Sequence, residues 1–117
     1  MIKNIKEFEY EKVPAGEGVY ISVMISSEKA PHFAMRKFKI QKGGYMPYHT
    51  NSVEHEQFVL SGEAKVVIDG EEFRAKKGDV LFIPAGIPHS YESVGEEDYE
   101  FLCLVPNLKD EVKIVER

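Results

Sequence analysis

Cysteine is nearly absent from this chain. Cys103 stands alone, so no intramolecular disulfide can form, and a structural zinc site built from several thiolates is excluded. Clustered lysine and arginine are also missing from the 117 residues, and the formal net charge is -5 with a pI near 5.4. Nucleic acid is therefore not an expected partner, because a phosphate backbone is held by grouped basic side chains. No apolar run approaches the roughly 20 residues that span a bilayer. The opening MIKNIKEFEYEK alternates charge with apolar residues where a secretion signal would carry an apolar core. These absences point to a cytoplasmic protein with no membrane partner. Sustained 3.6-residue periodicity, low-complexity sequence and long linkers are lacking too, which leaves one domain over residues 1–117.

What is present is a succession of short β signals. Hydrophobic residues make up 43% of the chain, enough for one packed core. After an arm broken at Val13-Pro14-Ala15-Gly16, the β-branched run Val19–Ile25 predicts the first strand. Phe33–Ile40 alternates, with Lys37 and Lys39 on one face and Arg36, Phe38 and Ile40 on the other. Gly43-Gly44 then reads as a turn, which places His49 in a turn and His55–Leu60 in the next strand. Asp69-Gly70 between Glu63–Ile68 and Glu72–Ala75 predicts a two-residue hairpin. Val80–Ile83, His89–Glu92 and Tyr99–Val105 complete the series, and the tail 108–117 alternates as a final strand could. Many short strands between glycine and proline turns mean a sandwich or a small barrel.

Three of the four histidines share one kind of context. His49, His55 and His89 each lie beside a glycine or proline bend in turn-bounded β segments, whereas His32 sits between Pro31 and Phe33 in a loop. If these strands are neighbours, the three imidazoles point into one barrel mouth and can hold a divalent metal while leaving positions open. The bland alternative is three ordinary strand-end histidines.

The spacing resembles the cupin family. Gly43, five residues, His49, one residue, Asn51, three residues, His55, six residues and Gly62 is similar to the first cupin motif. Gly78, five residues, Pro84-Ala85-Gly86, two residues and His89 is similar to the second, with Ser93 where the family usually has asparagine. The resemblance covers about residues 33–106. It implies an all-β, double-stranded β-helix, the jelly-roll barrel, with one metal ion inside. His55 stands where most cupins have a glutamate ligand, and Asn51 where they have the second histidine. The first departure, with Val53–Gly62, Ala30-Pro31, Met35-Arg36 and Glu100–Pro106, is similar to small single-domain cupins of thermophiles that hold manganese by four histidines.

The resemblance implies His49, Asn51, His55 and His89 as metal ligands, with manganese or iron favoured over zinc or nickel. Asn51 either coordinates through its carbonyl oxygen or binds a metal-bound water. Strand parity puts Gln57 with His55 and Tyr91 with His89, and the subgroup resemblance places Phe101, Cys103 and Val105 inside. Arg36, on the apolar face of its strand, either snorkels to water at the strand's frayed end or adds a cation for an anionic ligand. Glu54 and Glu56 should point away from His55 by alternation. No carboxylate base, phosphate loop or nucleophile elbow is visible, and the catalytic residues stay unidentified, with Tyr91 and Arg36 the best candidates. The expected activity is metal-dependent oxidation or dioxygenation of a small oxygenated molecule. Alternatives are a barrel that only binds a sugar or organic anion, and an isomerase or decarboxylase. The arm and tail could pair with a neighbouring barrel, which predicts a homodimer.

Overall fold

The computed structural model describes residues 1–116. A short 3-10 turn at Ile5–Glu7 precedes ten strands: β1 Glu11–Lys12, β2 Glu17–Ile25, β3 Phe33–Asn51, β4 His55–Ser61, β5 Glu63–Ile68, β6 Glu71–Lys76, β7 Val80–Ile83, β8 His89–Ser93, β9 Tyr99–Pro106 and β10 Val112–Ile114. Among the described residues no helix is long and apolar enough to cross a membrane.

β3 organises the barrel, and here the structure corrects the expected turn at Gly43-Gly44. The strand runs through the glycines for 19 residues, so His49 lies in a strand and not in a turn. Its first half pairs with β2 on one edge and β9 on the other, and its second half pairs with β8 and β10. Each half therefore belongs to a different wall. One wall is completed by β4 and β7 beyond β9, the other by β5 and β6 beyond β8. Gly43 has φ +79, which a β-carbon would resist, and this lets the strand bend between the walls without ending.

A bulge in β3 decides where the histidine segment points. Met46 is paired with Tyr91 and His49 with His89, so three steps on β3 match two on β8. Plain alternation from Met46 would turn residues 48 and 50 inward. The extra residue at Pro47-Tyr48 shifts the phase, and His49 and Asn51 are buried instead. Proline suits this place because it has no N–H to lose from the ladder.

Elsewhere the alternation holds. β4 buries His55, Gln57 and Val59 and exposes Glu54's neighbour Glu56; β9 buries Tyr99, Phe101, Cys103 and Val105. β5 and β6 form the hairpin at Asp69-Gly70, both with positive φ as a type I′ turn requires. β7, wholly apolar in sequence, buries only Leu81 and Ile83, because it is an end strand with one face outward. The core is built on Val19, Ile40, Val59, Val66, Ile83, Tyr99 and Phe101, each buried aliphatic or aromatic side chain contributing about 1.5–3 kcal/mol. β1 pairs with β2 and β10 with β3 of the same chain, each along one edge.

Candidate functional site

Six strands line one cavity, four of them contributing its polar and aromatic side chains. β3 supplies Arg36, Phe38, His49 and Asn51, β4 supplies His55 and Gln57, β8 supplies His89 and Tyr91, and β9 supplies Phe101. The cavity has a volume of about 210 Å³, below the roughly 300–1,000 Å³ of pockets for drug-sized ligands. Its walls are mostly apolar, with Val19, Ile21, Ile40 and Met46 among the lining residues.

The three histidines converge there, with ring centroids 4.2 Å apart for His49 and His89 and 6.0 Å for His55 and His89. His49 Nδ1 lies 2.7 Å from the Pro47 carbonyl, and His89 Nδ1 lies 2.9 Å from the Ile87 carbonyl. A carbonyl only accepts, so both Nδ1 atoms carry the proton and both Nε2 lone pairs are left free. His55 Nδ1 lies 3.2 Å from Cys103 Sγ, and its Nε2 is buried with no partner. Burial disfavours the imidazolium throughout. It lowers His49, against the pull of the Pro47 carbonyl, Asp110 and Asn51; it lowers His89 to about 4; and with Arg36 and the other two histidines it lowers His55 to about 3. Neutral imidazoles with unengaged Nε2 atoms are the protonation state that a divalent metal needs.

Two carboxamides add oxygen donors. Asn51 and Gln57 are buried, and Asn51 Oδ1 and Gln57 Oε1 have no hydrogen-bond partner. The Asn51 amide lies close enough to His49 to favour its protonated form, yet no hydrogen bond of ordinary geometry ends on Oδ1. The unmet geometry is decisive, since a buried acceptor without a partner costs about 1–3 kcal/mol. Among the described residues no group of three or more His, Cys, Asp or Glu side chains is spaced to hold a metal ion. By donor chemistry alone, imidazole nitrogens and an amide oxygen are groups that suit a divalent cation.

Behind the histidines lies a second polar group. Cys103 is opposite Arg36 on one side and Gln57 on the other. Arg36 Nη2 donates to Cys103 Sγ at 3.3 Å, and Gln57 Nε2 donates to the Tyr91 hydroxyl at 2.7 Å. Burial raises the Cys103 thiol, against the pull of Arg36, and raises the Tyr91 phenol well above its ordinary value. Tyr91 is thus a proton-bearing hydroxyl and not a base. The Arg36 guanidinium lies over the Phe38 ring, 5.2 Å from its centroid, and its Nε is buried without a partner. Among the described residues no carboxylate pairs with it.

Of the expected pocket residues, Arg36, Gln57, Tyr91 and Phe101 line the cavity and Cys103 lies behind its wall. Val105 does not join them; it borders shallow grooves near Phe33 and Ala34. His32 is exposed, as are Glu54 and Glu56. Sequence reasoning missed Val13, Asp110 and Val112, which close the cavity from the arm and tail. The tail's alternation hinted at a strand, but nothing in it named Asp110.

Comparison with known proteins agrees with this architecture. Residues 36–105 match the cupin domain family. An oxalate-binding protein of Thermotoga maritima is 32% identical over 94 residues, 77% of this chain and 78% of that protein. Quercetin 2,3-dioxygenase of Bacillus subtilis is 43% identical over 51 residues, 43% of this chain but only 15% of that much longer protein. Among solved structures, the polyketide cyclase RemF of Streptomyces resistomycificus superposes with a TM-score of 0.89 at 26% identity, covering 100% of this chain and 87% of that one. With a match over more than half its length and the jelly-roll barrel around three histidines, the chain belongs to the cupin family.

Proposed function

We propose that this chain is a mononuclear metal-dependent cupin that oxidises a small organic molecule carrying an anionic or enolic oxygen on an apolar body. One observation carries the reading: three neutral imidazoles and an unpartnered amide oxygen face a small apolar cavity that also contains an unpaired guanidinium. His49, His55, His89 and Asn51 would hold a divalent ion, manganese or iron by the nature of the donors. Such an ion supplies Lewis acidity and a place for dioxygen.

The protein's own part follows from its side chains. Arg36, with no carboxylate to neutralise it, offers its charge to an anionic oxygen of the ligand. Phe38, Phe101, Ile40 and Met46 receive the apolar body and exclude water, which strengthens every charge interaction inside. Tyr91, kept protonated by burial, can donate a hydrogen bond and hold a proton at its hydroxyl oxygen. The similarity to quercetin 2,3-dioxygenase supports oxidative chemistry, although the shared stretch is a small part of that enzyme.

A second reading is a barrel that only binds an organic anion, and the longer alignment with the oxalate-binding protein favours it. Oxygen consumption by the manganese- or iron-loaded protein separates the two. Uptake dependent on aryl enols or β-diketones supports the first reading. Tight binding of such compounds or of oxalate without uptake supports the second. Homodimer assembly is part of the proposal, and a monomer mass by light scattering would count against it.

A further inference from the structure

The C-terminal loop makes an unexpected contact with the candidate metal site. Asp110 Oδ2 accepts a hydrogen bond from Asn51 Nδ2 at 2.9 Å, across 59 residues of sequence. An amide between two neutral partners can be turned end for end at little cost. Facing a carboxylate it cannot, because a carboxylate only accepts. The NH2 end must therefore face Asp110, and the oxygen must face away. That oxygen, Asn51 Oδ1, is the buried acceptor left without a partner.

Asp110 is itself held in place. Its Oδ1 accepts from Ser52 N at 3.0 Å, Ser52 Oγ donates to the Lys109 carbonyl at 3.1 Å, and Glu111 N donates to Ser52 Oγ at 2.7 Å. On the other side, Gly86 N donates to the Asn51 backbone carbonyl at 2.8 Å, and Val112 of β10 is the ladder partner of Asn51. Both the amide's backbone and its clamp are pinned. Asp110 also borders the cavity and its charge acts on His49 and His89, favouring positive charge there against the effect of burial. It stands where an otherwise neutral ligand set needs a nearby negative charge.

We propose that Asp110 is a positioning residue: it fixes the Asn51 carboxamide so that Oδ1 points into the site and serves as an oxygen donor to the bound cation, which makes loop 109–111 a working part of the metal site. The inference rests on the metal reading above. It goes beyond it by deciding how Asn51 acts, through oxygen and under the control of the tail.

The test is a double-mutant cycle on the full chain, read by cobalt(II) affinity in competition with a chromogenic chelator and by the cobalt(II) absorption spectrum. Asn51→Ala, Asp110→Ala and the isosteric Asp110→Asn are compared with the double variant Asn51→Ala/Asp110→Ala. Each single change should weaken binding about 10–100-fold, the range for residues that orient ligands. The double variant should bind less weakly than the sum of the two single losses, because the positioning share is lost only once while the Asp110 charge is lost separately, and Asn51→Ala and Asp110→Ala should share one altered spectrum. Fully additive losses, or an Asp110→Ala protein with wild-type affinity and spectrum, overturn the positioning role while leaving the metal site intact. Wild-type protein that takes up no cobalt overturns the metal reading as well. Unchanged melting of Asp110→Asn confirms that the comparison is between folded proteins.

Discussion

His49 on β3 and His89 on β8 are directly opposed cross-strand partners, with ring centroids 4.2 Å apart. Each turns its Nδ1–H back to the carbonyl two residues before it, Pro47 in one case and Ile87 in the other. One wall of the barrel thus presents two imidazoles in the same tautomer, and His55 comes from the other wall on β4, with its Nε2 buried and without a partner. The remaining predictions follow from that arrangement and from the network behind it.

Metal content should depend on the histidines individually. Elemental analysis of protein purified without chelator should give close to one manganese or iron per chain, and His55→Ala or His89→Ala should lose it. Equal metal in wild type and both variants would mean that the ion is held elsewhere.

Stability of the metal-free protein should fall in mild acid. His55 and His89 are held at about 3 and about 4, below the 6.5 of a free imidazole. From pH 6.5 downward the unfolded chain takes up protons that the folded chain refuses, so stability present above that pH is progressively lost toward pH 4. For the two together the loss is about 2 kcal/mol between pH 6.5 and 5.5. Urea titrations at those two values measure it, and His55→Gln should remove about half. A flat profile in both proteins would mean that the imidazoles are solvated.

Arg36→Met should separate ligand binding from folding. The guanidinium has no carboxylate partner, so its loss leaves no buried anion stranded. Stability should change by less than about 1 kcal/mol, while affinity for an anionic ligand falls by about tenfold or more. Calorimetry with a carboxylate or enolate ligand checks this, and unchanged affinity would remove Arg36 from the ligand's environment.

Gln57 and Tyr91 form a buried polar pair with one acceptor, Gln57 Oε1, unmet. Replacing both, as Gln57→Leu with Tyr91→Phe, exchanges them for apolar groups and should leave the fold as stable or about 1 kcal/mol more so. Gln57→Leu alone strands the phenol and should destabilise. If the double variant melts below the single one, the pair is structural and not kept for ligand chemistry.

Phe101 stacks on Phe38 and on Tyr91, each 5.3 Å away between centroids, and is buried. Phe101→Ala should cost about 3–5 kcal/mol in denaturant unfolding. A cost under about 1 kcal/mol would mean that the cavity wall can collapse into the space.

Much of this protein was determined by local sequence. Period-two alternation paired Gln57 with His55 on β4 and Tyr91 with His89 on β8; on β9, where both faces are apolar, only the subgroup resemblance put Phe101, Cys103 and Val105 inside. Asp69-Gly70 fixed its hairpin because few other residue pairs adopt two successive positive φ angles. The histidine spacing pointed to the family, since a repeated motif survives without knowledge of its pairing. The tertiary structure decided the rest. Gly43-Gly44 carries a bend and not a turn, because both edges of β3 find partners on either side of it. His49 and Asn51 face the cavity only because the bulge at Pro47-Tyr48 shifts the phase, and a bulge exists only relative to the strand beside it. Asp110 reaches Asn51 across 59 residues, a meeting created by the pairing of β10 with β3. Alternation is a property of one strand read alone, whereas register and long-range hydrogen bonds belong to two.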